Sequence, residues 1–105
     1  MYAVFREASY SPRASIVESN EFREFQRVHA SRPGYVGTIV ADAGDGRLLT
    51  MTLWDTAENM DAARKALGPI VERFLNPFMT SPAQLHGTGR VVVNDLVASR
   101  EAPAE

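Results

Sequence analysis

The sequence predicts an α+β domain in which one antiparallel four-stranded sheet carries two helices on a single face. Three observations lead there. Asp45-Gly46 separates two runs of β-forming residues, "YVGTIVAD" (35–42) and "RLLTMTLW" (47–54), and that dipeptide is a strong hairpin-turn signal. A segment with helical spacing stands on each side of the hairpin. A β-rich run stands near each end of the chain, "YAVFRE" and "RVVVNDLV". The order is therefore β-α-β-β-α-β, and right-handed crossovers turn it into the ferredoxin-like arrangement.

Each element has its own grounds. Tyr2–Glu7 reads as the first strand, and "SYSPRAS", with Pro12 and three serines, as a loop. In "SNEFREFQRVHASRPG", Phe22, Phe25 and His29 recur at i, i+3 and i+7 while charged residues fill the other faces. Ser19 or Asn20 can cap this helix and Gly34 ends it. In the strand 47–54, Leu49, Met51 and Leu53 face one way, and Leu48 and Trp54 lie with two threonines on the other. A sheet apolar on both faces needs a cover on each side. The second helix opens at Asp55 or Thr56, with Glu58 in capping-box register to Asp55, and carries the stripe Met60, Ala63, Leu67. Gly68-Pro69 is expected to break it and start a further helical segment, which brings Phe74 and Phe78 onto a heavy apolar face. "TSPAQLHGTG" reads as a loop and "RVVVNDLV" as the last strand. The expectation is a single domain over 1–98 and a frayed tail over 99–105.

The totals exclude several function classes. A net charge of -2 over 105 residues supplies no basic face for nucleic acid. No apolar run approaches the roughly 20 residues of a membrane span, and the N-terminus does not read as a signal peptide, so a cytoplasmic protein is expected. The absence of cysteine removes disulfides, thiolate metal sites and a cysteine nucleophile. No metal-ligand spacing, dinucleotide fingerprint, phosphate loop or nucleophile elbow occurs, so neither a metal nor a cofactor is expected. His29, on the apolar stripe of the first helix, is the candidate catalytic residue: a general base or haem ligand in a cavity between helix and sheet, or else a core histidine. His86 stands beside glycines near the C-terminus. Phe22, Phe25, Tyr35, Trp54, Phe74 and Phe78 are the candidate lining of an apolar cavity for a flat organic molecule. Trp54 also reads as an anchor for the corner between strand and helix.

"RPGYVGTIV…GDGRLLTMTLWDTAENMDAA" resembles the signature of the dimeric α/β-barrel superfamily, in particular its antibiotic-biosynthesis-monooxygenase-like domains. The matching positions are Pro33, Gly34, Tyr35 and Gly37, then Trp54, Asp55 and Thr56. The resemblance implies a homodimer whose two sheets close into an α/β barrel, with a cavity in each subunit. It implies an enzyme of the cofactor-independent monooxygenase kind, acting on a small aromatic, polyketide or quinol-like substrate. The alternative is a non-catalytic ligand-binding or regulatory module. The residues that haem-degrading members use have no counterpart: the first strand lacks an Asn, and the second helix lacks both Trp and His.

Overall fold

A computed structural model describes residues 1–11 and 15–96; the tail expected over 99–105 lies outside the described residues. Strand β1 (Tyr2–Tyr10) leads through a 3-10 turn at Ile16–Glu18 into helix α1 (Asn20–Ala30). The hairpin β2 (Tyr35–Gly44) and β3 (Arg47–Trp54) follows, then helix α2 (Ala57–Phe74), a 3-10 turn at Asn76–Phe78 and strand β4 (Met79–Arg90). The sheet order is β2-β3-β1-β4, with every neighbouring pair antiparallel. This is the ferredoxin-like topology. The sheet is not closed into the expected barrel. β2 and β4 are opposite edges with two strands between them, about 14 Å apart at the usual strand spacing, and closure into a barrel takes about twice as many strands.

Local chemistry sets the element ends. Asp45 (φ 57°) and Gly46 (φ 80°) both lie in the left-handed region, as a type I′ turn requires. Ser19 caps α1, its Oγ accepting from the Phe22 N–H at 3.1 Å. Thr56 caps α2 by accepting from the Asn59 N–H at 3.1 Å. Asp55 does not form the expected box with Glu58; it accepts from Asn59 Nδ2 at 2.9 Å instead. The carbonyl of Gly34 (φ 83°) accepts from the Asp55 N–H at 2.9 Å, and a Cβ on it would stand 2.6 Å from Asn59. The corner after α1 and the start of α2 are thereby locked together.

Two expectations about the second half are corrected. Helix α2 runs unbroken through Pro69. The missing N–H costs one helical bond, and Leu67 on one side and Val71 on the other both pack into the core, so burial outweighs it. The last strand is the expected loop, Met79–Arg90, while 91–93 is not a strand. β4 is an edge, where Pro82 and the glycines 87 and 89 are tolerated, and its pairing to β1 shifts register three times, as bulged edge strands do. The residues after it cross the outer sheet face beside Ala3 and Leu53, leaving Val92 and Val93 78% and 82% exposed.

The core lies between the sheet and the helices. One cluster joins Val4, Trp54, Met60, Ala63 and Leu67; the other joins Tyr10, Ile16, Leu48 and Leu75. Phe25 packs against both. On the outer face, Phe5, Ile39 and Leu49 are exposed.

Candidate functional site

A cavity of about 260 Å³ opens between the sheet and the helices, with walls drawn from both core clusters. The alternation of β1 and β3 decides which side chains reach it. Val4, Arg6, Ala8 and Tyr10 point inward from β1, and Leu48, Thr50, Thr52 and Trp54 from β3. Helix α1 contributes Phe22, Phe25, Gln26 and His29, one stripe at helical spacing. Helix α2 contributes Arg64, Leu67, Gly68 and Val71. The walls are apolar at both ends and polar between them.

His29 is 8% exposed and sits in an aromatic box. Its ring centroid lies 5.2 Å from Phe25, 5.2 Å from Tyr35 and 5.6 Å from Trp54. Its Nδ1 is buried without a hydrogen-bond partner among the described residues. Burial, and secondarily the charge of Arg6, push its pKa down to about 4, so the imidazole is neutral at ordinary pH. Arg6 is itself lowered, first by burial and then by the charge of Arg64. Thr38 and Thr52, opposite each other on β2 and β3, share a hydrogen bond of 3.2 Å between their hydroxyls. Tyr10 at the far end is pushed up to about 12 by burial and stays a neutral phenol.

Of the residues singled out from the sequence, Phe22, Phe25, His29 and Trp54 line this cavity. Tyr35 stands behind His29 and edge-on to Trp54. Phe74 and Phe78 pack into the second cluster, outside the cavity wall. His86 is exposed on β4 with Nε2 3.0 Å from Glu7 Oε1, and Asn94 lies against Met1, so neither reaches the site. Sequence reasoning passed over Gln26, Thr38, Thr50 and Arg64. Thr50 had a signal, since it alternates with Leu49 and Met51; Arg64 had none, because a charged residue on an amphipathic helix reads as solvated. Among the described residues no group of three or more His, Asp or Glu could hold a metal, and no helix is long and apolar enough to cross a membrane.

No protein-family model and no curated protein matches the chain. Solved structures do. A Nitrosomonas europaea protein provisionally named an antibiotic biosynthesis monooxygenase superposes with a TM-score of 0.70 at 13% identity, over 87% of this chain and 89% of that one. A variant of SnoaB, a cofactor-independent oxygenase from Streptomyces nogalater, gives 0.65 at 16% identity, over 89% and 93%. A protein of unknown function from Nitrosomonas europaea gives 0.66 at 11% identity, over 90% and 92%. At these identities the likeness concerns architecture, and the neighbours themselves differ in what is known of them. The chain shares the fold of the antibiotic-biosynthesis-monooxygenase-like structures.

Proposed function

We propose that the chain binds a small, flat aromatic molecule in this cavity and oxidises it with molecular oxygen without a cofactor. The observation that carries the reading is the neutral His29, its Nδ1 without a partner among the described residues, in an aromatic box that opens on the cavity. The shared fold with SnoaB, itself a cofactor-independent oxygenase, supports it.

The reaction fitting such a site converts a ring methylene, conjugated through its flanking aromatic rings to a carbonyl, into a second ketone: R₂CH₂ + O₂ gives R₂C=O + H₂O. The substrate first loses a proton to become an enolate. The enolate gives up electrons to oxygen, one oxygen atom bonds to the carbon, and the other leaves as water with the two hydrogens. Oxygen is the only oxidant required.

Magnitudes assign the roles. An acid in the phenol range has a pKa of about 10, while the His29 imidazolium is held near 4. Direct transfer to His29 is then uphill by about 8 kcal/mol. Nearby positive charge must stabilise the enolate, and the enolate's charge in turn raises the basicity of His29. His29 therefore acts as a positioned proton acceptor whose strength depends on the bound anion, and the aromatic walls exclude the water that would solvate it. The outer face leaves Phe5, Ile39 and Leu49, on three adjacent strands, exposed, and a contiguous exposed apolar patch is a usual mark of an interaction surface. A second copy of this chain is its proposed cover.

Oxygen uptake with a hydroxyanthrone, in the presence of a metal chelator, tests the reading. One O₂ consumed per substrate, with water and not peroxide as co-product and a rate reduced by 10² or more in His29→Ala, is expected. A rate equal to the enzyme-free reaction overturns the oxygenase and leaves a binding module.

A further inference from the structure

Two arginines converge on the cavity, and no acidic side chain lines it among the described residues. Arg6 comes from the middle of β1, facing Thr50 across the sheet. Arg64 comes from α2, one turn after Met60 and one turn before Gly68. Neither takes part in an ion pair among the described residues; the pairs formed there are Arg27 with Glu24, and Glu7 with Arg47 and His86. Arg27 and Arg47 sit beside carboxylates, whereas Arg6 and Arg64 share one cavity.

From this placement we infer that the cavity selects an aromatic ligand bearing a carboxylate, held by Arg6 and Arg64 together. Bringing two guanidinium groups to one cavity is unfavourable for the empty protein, and burial together with the charge of Arg64 lowers the affinity of Arg6 for its proton. An anion between them reverses the sign of both interactions. A carboxylate suits the planar fork of a guanidinium, which can donate two parallel hydrogen bonds to it. The neutral His29 adds no competing charge.

The position of the pair fixes the orientation. Arg64 and Gly68 are on the exposed, outer part of the wall and Arg6 is half-buried beneath them. A Cβ on Gly68 would meet nothing within 4 Å, so the helix leaves an opening beside Arg64. The carboxylate enters last and stays near this mouth, while the ring system lies inward between Phe25 and Trp54. The same charges would hold the enolate of the proposed reaction, and the inference rests on the reading of this cavity as a ligand site but not on the oxidation.

Calorimetric titration of the purified protein with 2-naphthoate and with its neutral isostere 2-naphthamide tests it. The expected result is at least tenfold tighter binding of the naphthoate, a preference that weakens with added salt and falls to about twofold or less in Arg6→Gln and in the Arg6→Gln, Arg64→Gln double variant. Retained naphthamide binding in those variants shows that they are folded. Equal affinity of the wild-type protein for both compounds overturns the anion selectivity and leaves the ligand site standing. Binding of neither overturns both.

Discussion

The rings of His29 and Trp54 stand 5.6 Å apart at an angle of 52°, and both belong to the cavity wall. The indole also belongs to the core cluster with Met60, Ala63 and Leu67. Anchor and wall are one side chain: Trp54 seats the end of β3 against α2 and holds the imidazole from one side. Trp54→Ala is expected to cost about 3–5 kcal/mol, read by chemical denaturation. Trp54→Phe, which keeps a ring in the box, is expected to cost less than half of that.

The depressed pKa of His29 has a stability consequence of definite sign. In the unfolded chain its pKa returns to about 6.5, while in the folded protein it is about 4. Between these values the unfolded state binds more protons. Stability is therefore highest above about pH 6.5, falls as the pH drops toward 4, and loses nothing further from this group below that. The full loss is on the order of 3 kcal/mol. Melting curves of the wild type and His29→Gln from pH 7.5 to 4 are expected to converge as the pH falls, because the variant lacks this term while both keep their carboxylates.

Gly34 joins the end of the first crossover to the start of α2. Its φ of 83° costs a residue with a side chain about 1–2 kcal/mol, and the approach to Asn59 at 2.6 Å adds a clash with a group that already bonds Asp55. Gly34→Ala is expected to lower stability by about 2 kcal/mol or more in denaturant titration. Gly87→Ala, where a Cβ meets nothing, is expected to change it by less than about 0.5 kcal/mol.

Self-association through the outer face predicts a concentration-dependent mass in sedimentation equilibrium. Phe5→Glu and Ile39→Glu place charges on exposed positions and are expected to give a folded monomer. A wild-type protein that stays monomeric at tens of micromolar would leave the outer face without a partner of its own kind.

Much of this architecture could be read before any coordinates, and the errors have physical causes. The β2–β3 hairpin was legible because Asp45-Gly46 admits almost one conformation. Helix α1 was legible because Phe22, Phe25 and His29 keep strict spacing, and their shared place on the cavity follows from it. β4 was not legible: at a sheet edge, backbone pairing to β1 carries residues whose own preferences point to loop, whereas three valines with the highest β-propensity lie outside the sheet. Gly68-Pro69 looked like a break because local cost is visible in sequence and burial on both sides is not. Phe74 and Phe78 were placed on the cavity by hydrophobicity alone, which does not distinguish a wall from the core behind it. The barrel was expected from a resemblance, as two sheets of a homodimer closing on each other, and not from the residues; the sheet is open, with β2 and β4 as its edges.

Gly68 offers the sharpest test of the cavity as a ligand site. It stands mid-helix, where glycine is less favourable than alanine by about 1 kcal/mol, and nothing packs on it. Gly68→Phe gains part of that helix propensity against the restriction that Pro69 places on the residue before it, and its ring covers the opening beside Arg64; a melting curve checks that it folds. Trp54, the single tryptophan, lines the cavity and reports on occupancy through its fluorescence. Titration with 2-naphthoate, excited so that the ligand's own absorbance is corrected, is predicted to give a saturable change in the wild type and at least a tenfold weaker one in Gly68→Phe of equal melting temperature. A saturable change of the same affinity in both proteins, or none in the wild type, would contradict a ligand site in this cavity.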